Sequence, residues 1–553
     1  MSNLELPLGK RTPFYRFFEI LPGAVSYSAV LLLIILSLVS PTLAAAYLLL
    51  IIITMAVKAM GIAYRTVSGY RTYRAASAVN WHQRLGELED PAQSLLGYAG
   101  ANKQGGYDHQ VHLDNLQYIA EAPAGSYPRP SQLYQLIIIA TYNESFDVLD
   151  TTVTSLLDCT YDPQHMIVVV AYEARGGQAT AQVAARLQSK YAKQFHHFMT
   201  VEHPQDMPHE VVGKGPNITY AAQHATQWIT SQSIPHSDVI VTTLDSDNRP
   251  HPTYFDYLTY EYIVREDRQR FSYQPLALFF GNIWDAPAPM RVIATGNSFW
   301  TIISSMRPHT LRNFASHSQP LEGLIAMNFW SKRSIVEDGH QYWRSYFHFR
   351  GDYDVLPLYV PVYQDAVMAD TLKGTLIAQF KQLRRWAYGA SDIPYVAVNI
   401  FTSARRAPFW PSLARFLRLL DSHVSLASVA ILVAIGGWVP LILNPQASRD
   451  IVAHQLPEVV SLIQRVAMVG LFISIFLSFK LLPPRPARYK RRRTVAMALQ
   501  WLLMPITSIA YSALSAYNAQ THLMLGKYLD KFDVTDKATF ESAQRAKATK
   551  RKK

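Results

Sequence analysis

Cysteine is nearly absent from this chain. Cys159 is the one cysteine in 553 residues, so no intrachain disulfide can form, cysteine-based zinc sites are excluded, and a reducing compartment fits. Charge is sparse as well: 17% of residues are charged against 49% hydrophobic, an apolar balance for a soluble chain. No nucleic-acid-binding motif occurs. The basic residues behind the net charge of +12 cluster beside apolar runs. The charge therefore reads as membrane topology and attraction to anionic lipid, and no nucleic-acid partner is expected.

What the chain does have is long apolar runs near both ends. Ala24 to Ser40 carries no charge, Pro41 and Thr42 interrupt, and Leu43 to Val57 resumes. This pattern predicts a two-helix hairpin, each helix near the ~17-residue minimum for crossing a bilayer. Lys10, Arg11 and Arg16 ahead of it, and Ala44 to Ala46 within it, also suit a signal peptide. The second apolar run argues against cleavage, because a mature chain would not begin with it. Lys58, Arg65, Arg71 and Arg74 then place residue 61 onward in the cytoplasm.

The second apolar cluster holds Val424 to Leu443, Val459 to Phe479 and Thr494 to Tyr517. A basic block from Lys480 to Arg493 precedes the last of these and reads as cytoplasmic. One crossing by Thr494 to Tyr517 would put the basic tail, Lys550 to Lys553, outside. A re-entrant or interfacial pair of half-helices broken at Pro505 is therefore expected, with a misassigned span elsewhere as the alternative. Arg405 to Leu420 mixes arginines with Phe409, Trp410, Phe416 and Leu417. That mixture suits a helix lying on the membrane surface, and equally one packed on a soluble domain.

Between the clusters the pattern is that of a globular domain. Residues 61–132 are a polar, helical and looped lead-in. Tyr134 to Ala140, Met166 to Ala171 and Asp238 to Leu244 are short apolar runs alternating with helical stretches at Val148 to Leu157, Gln178 to Ala192 and Asn217 to Ile229. Buried strands alternating with helices predict an α/β domain with a mostly parallel sheet. Ligands in such sheets sit at the carboxyl ends of the strands.

Those ends are acidic. Thr141-Tyr142-Asn143-Glu144 follows the first strand, Tyr172-Glu173 the second and Asp245-Ser246-Asp247 the third. Acids at one strand end could be helix caps. Three at one sheet edge suit a ribose hydroxyl, a base edge or a metal. Asp245 and Asp247, at i and i+2 on extended backbone, would point the same way. Two such carboxylates repel unless a cation lies between them, and Mg2+ or Mn2+ binds through one or two carboxylates plus substrate phosphates. A plain turn is the alternative, since Asn248-Arg249-Pro250 follows.

Further on, Gly213-Lys214-Gly215-Pro216-Asn217 opens a helix, and helix starts favour anions. Glu337 and Asp338 would suit either a helix start or a general base. Gln382, Arg385 and Trp386 fall at i, i+3 and i+4, one helix face. Leu376, Phe380 and Leu383 form a separate stripe at ~100° per residue, suited to the core. An arginine there can pair bidentately with a diphosphate.

In these motifs the segment from about 133 to 390 resembles the catalytic domain of family 2 glycosyltransferases, especially the cellulose and hyaluronan synthase group. Thr141-Tyr142-Asn143-Glu144 resembles that family's opening motif, and Glu173 stands where the family has an Asp. Val336-Glu337-Asp338 resembles its Thr-Glu-Asp triplet, with Val336 in place of the Thr, and Gln382 to Trp386 matches its Gln-x-x-Arg-Trp motif. Phe532 to Lys537 fits the Phe-x-Val-Thr-x-Lys gating loop of cellulose synthases.

The resemblance implies a GT-A-like nucleotide-sugar-binding α/β domain flanked by transmembrane helices, and an inverting transfer that uses Mg2+ or Mn2+. It implies Asp338 as base beside Glu337. Thr141, Tyr142, Glu144, Glu173, Lys214, Asp245, Gln382, Arg385, Trp386, Thr535 and Lys537 would lie on the donor, and Asp245 and Asp247 on the metal. Gln274, Gly296, Asn297 and Trp386 would lie in an acceptor pocket. A nucleoside-diphosphate sugar, with a UDP-sugar favoured by the resemblance, is the expected donor, and a glycan or lipid the acceptor. The implied product is a polysaccharide made processively. The rivals are single-sugar transfer to a lipid or glycolipid and, from another class, a non-catalytic transporter or scaffold.

The expected organisation is a hairpin unit (1–60), the lead-in (61–132), the catalytic domain (133–395), an interfacial helix region (396–422), a second transmembrane region (423–518) and a cytosolic tail (519–553). The chain would be a multi-pass membrane protein with its catalytic domain in the cytosol, in a bacterial plasma membrane.

Overall fold

Eight strands form one sheet: β1 (Tyr134–Thr141), β2 (Met166–Glu173), β3 (His197–His203), β4 (Val239–Asp245), β5 (Arg249–Pro250), β6 (Phe271–Leu278), β7 (Ser318–Pro320) and β8 (Asp354–Tyr363). The computed structural model describes residues 5–7, 9–98, 106–403 and 405–529. Strand order is β3-β2-β1-β4-β7-β6-β8-β5. The pairs β1–β2, β1–β4, β2–β3 and β6–β8 are parallel, while β7 runs antiparallel to β4 and β6, and β5 antiparallel to β8. The three strands expected from the apolar runs are present as β1, β2 and β4, within one or two residues at their ends.

The middles of β1 and β2 are continuous apolar runs because both faces are covered. Successive side chains point to opposite faces, and the two cores divide accordingly. Ile137, Ile139, Val168 and Val170 join one, with Leu149 and Val153 of the helix Phe146–Leu157 and Leu187 of the helix Gly177–Tyr191. Leu136, Ile138, Ile167 and Val169 join the other, with Ile218, Ala221 and Ala225 of the helix Lys214–Ser231. The register is fixed by this division, since a slip of one residue would exchange the two faces. It sets Thr141 beside Tyr172, and Ala140 beside both Ala171 and Asp245. The carboxyl ends of β1, β2 and β4 therefore finish at one edge.

The described residues divide into two compact units. The first holds Glu5, Leu6 and residues 69–281 and 304–365, which include the whole sheet. The lead-in packs within it: Trp81 is buried and stacks on Tyr257, ring centroids 3.7 Å apart, and donates its indole N–H to the Ala76 carbonyl at 2.9 Å.

The second unit holds residues 7–68, 282–303 and 366–529. Among the described residues, five helices are long and apolar enough to cross a bilayer: Pro13–Val39, Pro41–Ser77, Phe409–Leu443, His454–Leu481 and Arg492–Met524. Leu33, Ala44, Leu48, Leu432 and Leu456 share an apolar cluster there. One helix runs unbroken from Phe409 to Ile435, across the boundary expected at residue 422.

The last stretch is one helical path, not two half-helices. It passes from α-helix (Arg492–Leu499) through a 3-10 turn (Gln500–Leu503), a short α segment (Met504–Thr507) and a π-helical segment (Ser508–Ala513) back to α-helix (Leu514–Met524). Pro505 falls in the first turn of the short segment, where its missing N–H costs least. The change of helical pitch on both sides lets the neighbouring backbone groups pair again, so the proline does not break the path.

Trp81→Ala should lower stability by about 3–5 kcal/mol, the cost of removing a buried tryptophan. Thermal unfolding of the detergent-purified protein measures it.

Candidate active site

The site is built where β1, β2 and β4 end. Two groups of side chains gather there, both within the first unit.

The first group closes the ends of β1 and β2. Glu144 turns back on its own loop: Oε2 accepts from the Thr141 hydroxyl at 2.6 Å and from the Tyr142 and Asn143 N–H groups at 2.8 and 3.2 Å. Glu173, the last residue of β2, is clasped by both arms of the Arg175 guanidinium, one of them 2.9 Å away. Arg175 also lies over the Tyr142 ring, 3.9 Å from its centroid. Tyr142, Glu173 and Arg175 thus form one layered unit of ring, cation and carboxylate. Arg175 was not among the expected site residues. A guanidinium two residues from a strand-end acid was the signal for it.

The second group surrounds Lys214, the first residue of the helix Lys214–Ser231. Its ammonium is buried and lies 2.7 Å from Asp245 Oδ1 and 3.9 Å from Glu337 Oε1. Burial works against the charged form. The charges of Asp245, Glu337 and Asp338, with the hydrogen bond to Asp245, outweigh it and raise the pKa above the ordinary lysine value. Asn217, one turn along, donates to the Ala171 carbonyl at 2.9 Å and holds the helix start against β2. Gly215 is required for this approach: a Cβ there would fall within 3.0 Å of the Ser331 carbonyl oxygen and 3.1 Å from Glu337 Cβ. Glu337 and Asp338 occupy the first turn of the helix Glu337–His348, where acidic residues complement the helix dipole. Asp338 Oδ1 accepts from the Gly339 N–H at 2.7 Å.

Asp245 and Asp247 are close in the chain, but not on extended backbone as the spacing suggested. Asp245 ends β4, and Ser246 and Asp247 belong to the turn before β5. After the turn, β5 pairs with β8. Asp247 Oδ2 accepts from the Asp365 N–H at 3.2 Å. Thr152 pins the turn by donating to the Ser246 carbonyl at 2.6 Å.

Among the described residues no group of three or more His, Cys, Asp or Glu side chains is placed to hold a metal ion. The carboxylates of Asp245 and Asp247 still fit Mg2+ or Mn2+ by chemistry. Their donors are all hard oxygens, and such ions take one or two carboxylates when phosphates supply the rest.

The other expected residues have their own settings. Gln274 has its amide bonded on both sides. Its oxygen accepts from the Phe314 N–H at 2.7 Å, and its nitrogen donates to the Pro275 and Ala315 carbonyls at 3.1 and 3.3 Å, clasping a turn. Gly296 and Asn297 lie on the helix Ala288–Ser305, in the part assigned to the second unit. Gln382, Arg385 and Trp386 lie in the second unit on the helix Leu372–Ala387, which Thr371 caps. Its buried stripe is Thr375, Gln379, Leu383 and Ala387, one position round from the Leu376–Phe380–Leu383 stripe expected. Trp386 is exposed, and Gln382 accepts from Gln379 at 3.0 Å. Thr535 and Lys537 lie outside the described residues.

A buried histidine that the motifs did not single out flanks this site. His317 donates through Nδ1 to the Phe314 carbonyl at 2.9 Å and accepts at Nε2 from the Trp330 indole N–H at 3.3 Å, so both ring nitrogens are committed to the neutral form. Burial, and to a lesser degree the nearby Lys214 charge, push its pKa down from 6.5 to about 4. An unfolded chain would bind a proton at this ring below pH 6.5 that the folded chain refuses down to about 4. His317 therefore makes stability fall as pH drops through that window and has no effect above it. His317→Gln should flatten part of that slope in melting temperature recorded against pH.

No family model matches this chain, and no curated protein sequence matches it. It is similar to several solved structures. One is a mannosyltransferase from Pyrobaculum calidifontis in complex with GDP-Man and Mn2+, at 12% identity and TM-score 0.39, covering 84% of this chain and 99% of the other. A second is residues 1–349 of S. aureus TarS in complex with UDP-GlcNAc, at 12% identity and TM-score 0.34, covering 73% and 95%. A third is GalNAc-T7 with UDP, GalNAc and Mn2+, at 9% identity and TM-score 0.29, covering 57% and 58%. Each is a distant likeness.

Proposed function

We propose that this chain is a membrane-embedded, inverting glycosyltransferase that transfers a sugar from a nucleoside-diphosphate donor to a glycan or lipid acceptor. The observation that supports this most is the buried Lys214 ammonium amid Asp245, Glu337 and Asp338 at the carboxyl edge of a parallel sheet. An acid–cation cluster at that edge is where α/β sheets take nucleotide ligands.

In the proposed reaction an acceptor hydroxyl oxygen attacks the anomeric carbon. The new C–O bond forms as the bond to the diphosphate breaks, the electron pair leaves with the diphosphate, and the configuration inverts. Asp338 accepts the hydroxyl proton. Its carboxylate must be ionised to do so, and it is one of the acids whose charge acts on Lys214. Lys214 supplies charge where the diphosphate develops it. The layered Tyr142–Arg175–Glu173 unit and the Thr141–Glu144 turn hold the base and ribose end. Asp245 and Asp247 would hold the divalent ion, which supplies Lewis acidity at the leaving group when bound. Roles for Gln382, Arg385 and Trp386 toward donor and acceptor are part of the proposal and rest on the motif alone.

The motif in Gln382 to Trp386 favours processive synthesis of a polysaccharide over transfer of a single sugar to a lipid. A long acid-insoluble product from labelled donor supports the former, and a labelled lipid of one added sugar overturns it.

Asp338→Asn should abolish transfer while the Kd for the nucleotide, by calorimetry, stays within about threefold, since loss of a base removes a transition-state interaction. Loss of nucleotide binding in that variant would overturn its role as base. Lys214→Gln should depress both binding and turnover.

A further inference from the structure

Asp247 raises a question of position. It lies past the end of β4, in a turn, so the pleat of the sheet does not aim its carboxylate. Its side chain is nevertheless buried. One group that holds it, the Asp365 N–H, comes from a part of the chain more than a hundred residues away.

We propose that Arg249 and Asp365 form a brace that fixes the Asp247 carboxylate, and that Gly281 is the shelf on which the brace closes. This rests on the reading of Asp247 as a metal-holding acid. Five contacts make the brace. The Asp365 N–H donates to Asp247 Oδ2 at 3.2 Å. The Asp365 carboxylate pairs with the Arg249 guanidinium. Arg249 is tied to the same strand end by its pairing with Tyr363. The ends of β6 and β8 are zipped by the Gly281 N–H to the Gln364 carbonyl and the Gln364 N–H to the Leu278 carbonyl, both at 2.9 Å.

Gly281 has no room for a side chain. A Cβ on it would fall within 3.0 Å of both Arg249 Nη2 and Asp365 Oδ1. The ion pair therefore rests directly on the backbone at that residue, and a side chain there would push the Arg249 and Asp365 tips out of their present places. Asn248 adds a second hold. With its amide oxygen toward the Asp245 N–H and the Ser316 hydroxyl, its nitrogen donates to Asp247 Oδ1 at 3.3 Å.

A partly exposed ion pair such as Arg249–Asp365 contributes little to stability. Its effect is geometric: it sets the loop whose N–H meets Asp247. Groups that orient a metal-binding carboxylate typically change metal affinity by about 10–100-fold when removed.

The test uses the full chain purified in detergent, with Mn2+ titrated by electron paramagnetic resonance in the presence of UDP. Arg249→Gln and Asp365→Asn should each weaken Mn2+ binding by about 10–100-fold. The double variant should bind no more weakly than either single one, because both act through one contact. In transfer assays the apparent KM for Mn2+ should rise while kcat at saturating Mn2+ holds. Gly281→Ala should reproduce the loss; if it fails to fold, the other two variants carry the test alone. Wild-type Mn2+ affinity in Arg249→Gln and Asp365→Asn, with affinity lost in Asp247→Asn, would overturn the brace and leave the metal reading intact. Affinity lost in Asp365→Asn but kept in Arg249→Gln would also overturn it, making Asp365 a ligand itself. Unchanged affinity in Asp247→Asn would overturn the metal reading and the brace with it.

Discussion

A lysine ammonium cannot stay charged inside a protein without carboxylates around it, and the candidate site is arranged around that constraint at Lys214. Its 2.7 Å contact with Asp245 ties the start of one helix to the end of β4. Its longer approach to Glu337 ties in the start of another. Asn217 fixes the first helix to β2, and Gly215 lets the two helix starts come together. Three elements remote in sequence therefore meet because one buried charge needs them to. Under the proposed function that ammonium would meet the diphosphate, so the contact that organises this edge is also the one a ligand would compete for.

The sheet prepares that meeting. Parallel strands covered on both faces leave only their ends for polar groups, and the register of β1 with β2 and β4 brings those ends level. Side chains at one end are then held by short-range devices. Glu144 folds onto its own turn and Arg175 clasps Glu173. Asp247 is instead held from the loop after β8, which makes its position depend on a long-range contact.

Much of this could be read in the sequence. Continuous apolar runs bounded by turn residues located β1, β2 and β4, because burial on both faces leaves a strong compositional mark. The acids after them were legible for the same reason, since polar groups at the end of a buried strand stand out. The short antiparallel strands β5 and β7 were not legible, with two and three residues and no periodicity to read. The backbone direction at Asp247 was misread because spacing alone cannot distinguish a strand from the turn that ends it. That Gln274 clasps a turn could not be read from spacing, because only its hydrogen-bond partners show what a buried amide holds. The stripe on the helix Leu372–Ala387 was misplaced by one position because polar Thr375 and Gln379 are buried there. Pro505 was read as a break because the irregular turns that accommodate it leave no signal in composition.

The most direct test of whether Asp245 and Asp247 hold a divalent ion against a nucleoside diphosphate beside Lys214 is a structure of the full chain determined with UDP and Mn2+. Metal density is expected between the Asp245 and Asp247 carboxylates, with the diphosphate next to it and the Lys214 ammonium turned from Asp245 toward the phosphates. Nucleotide bound away from β4, or Lys214 still on Asp245 with no metal between the two acids, would contradict it.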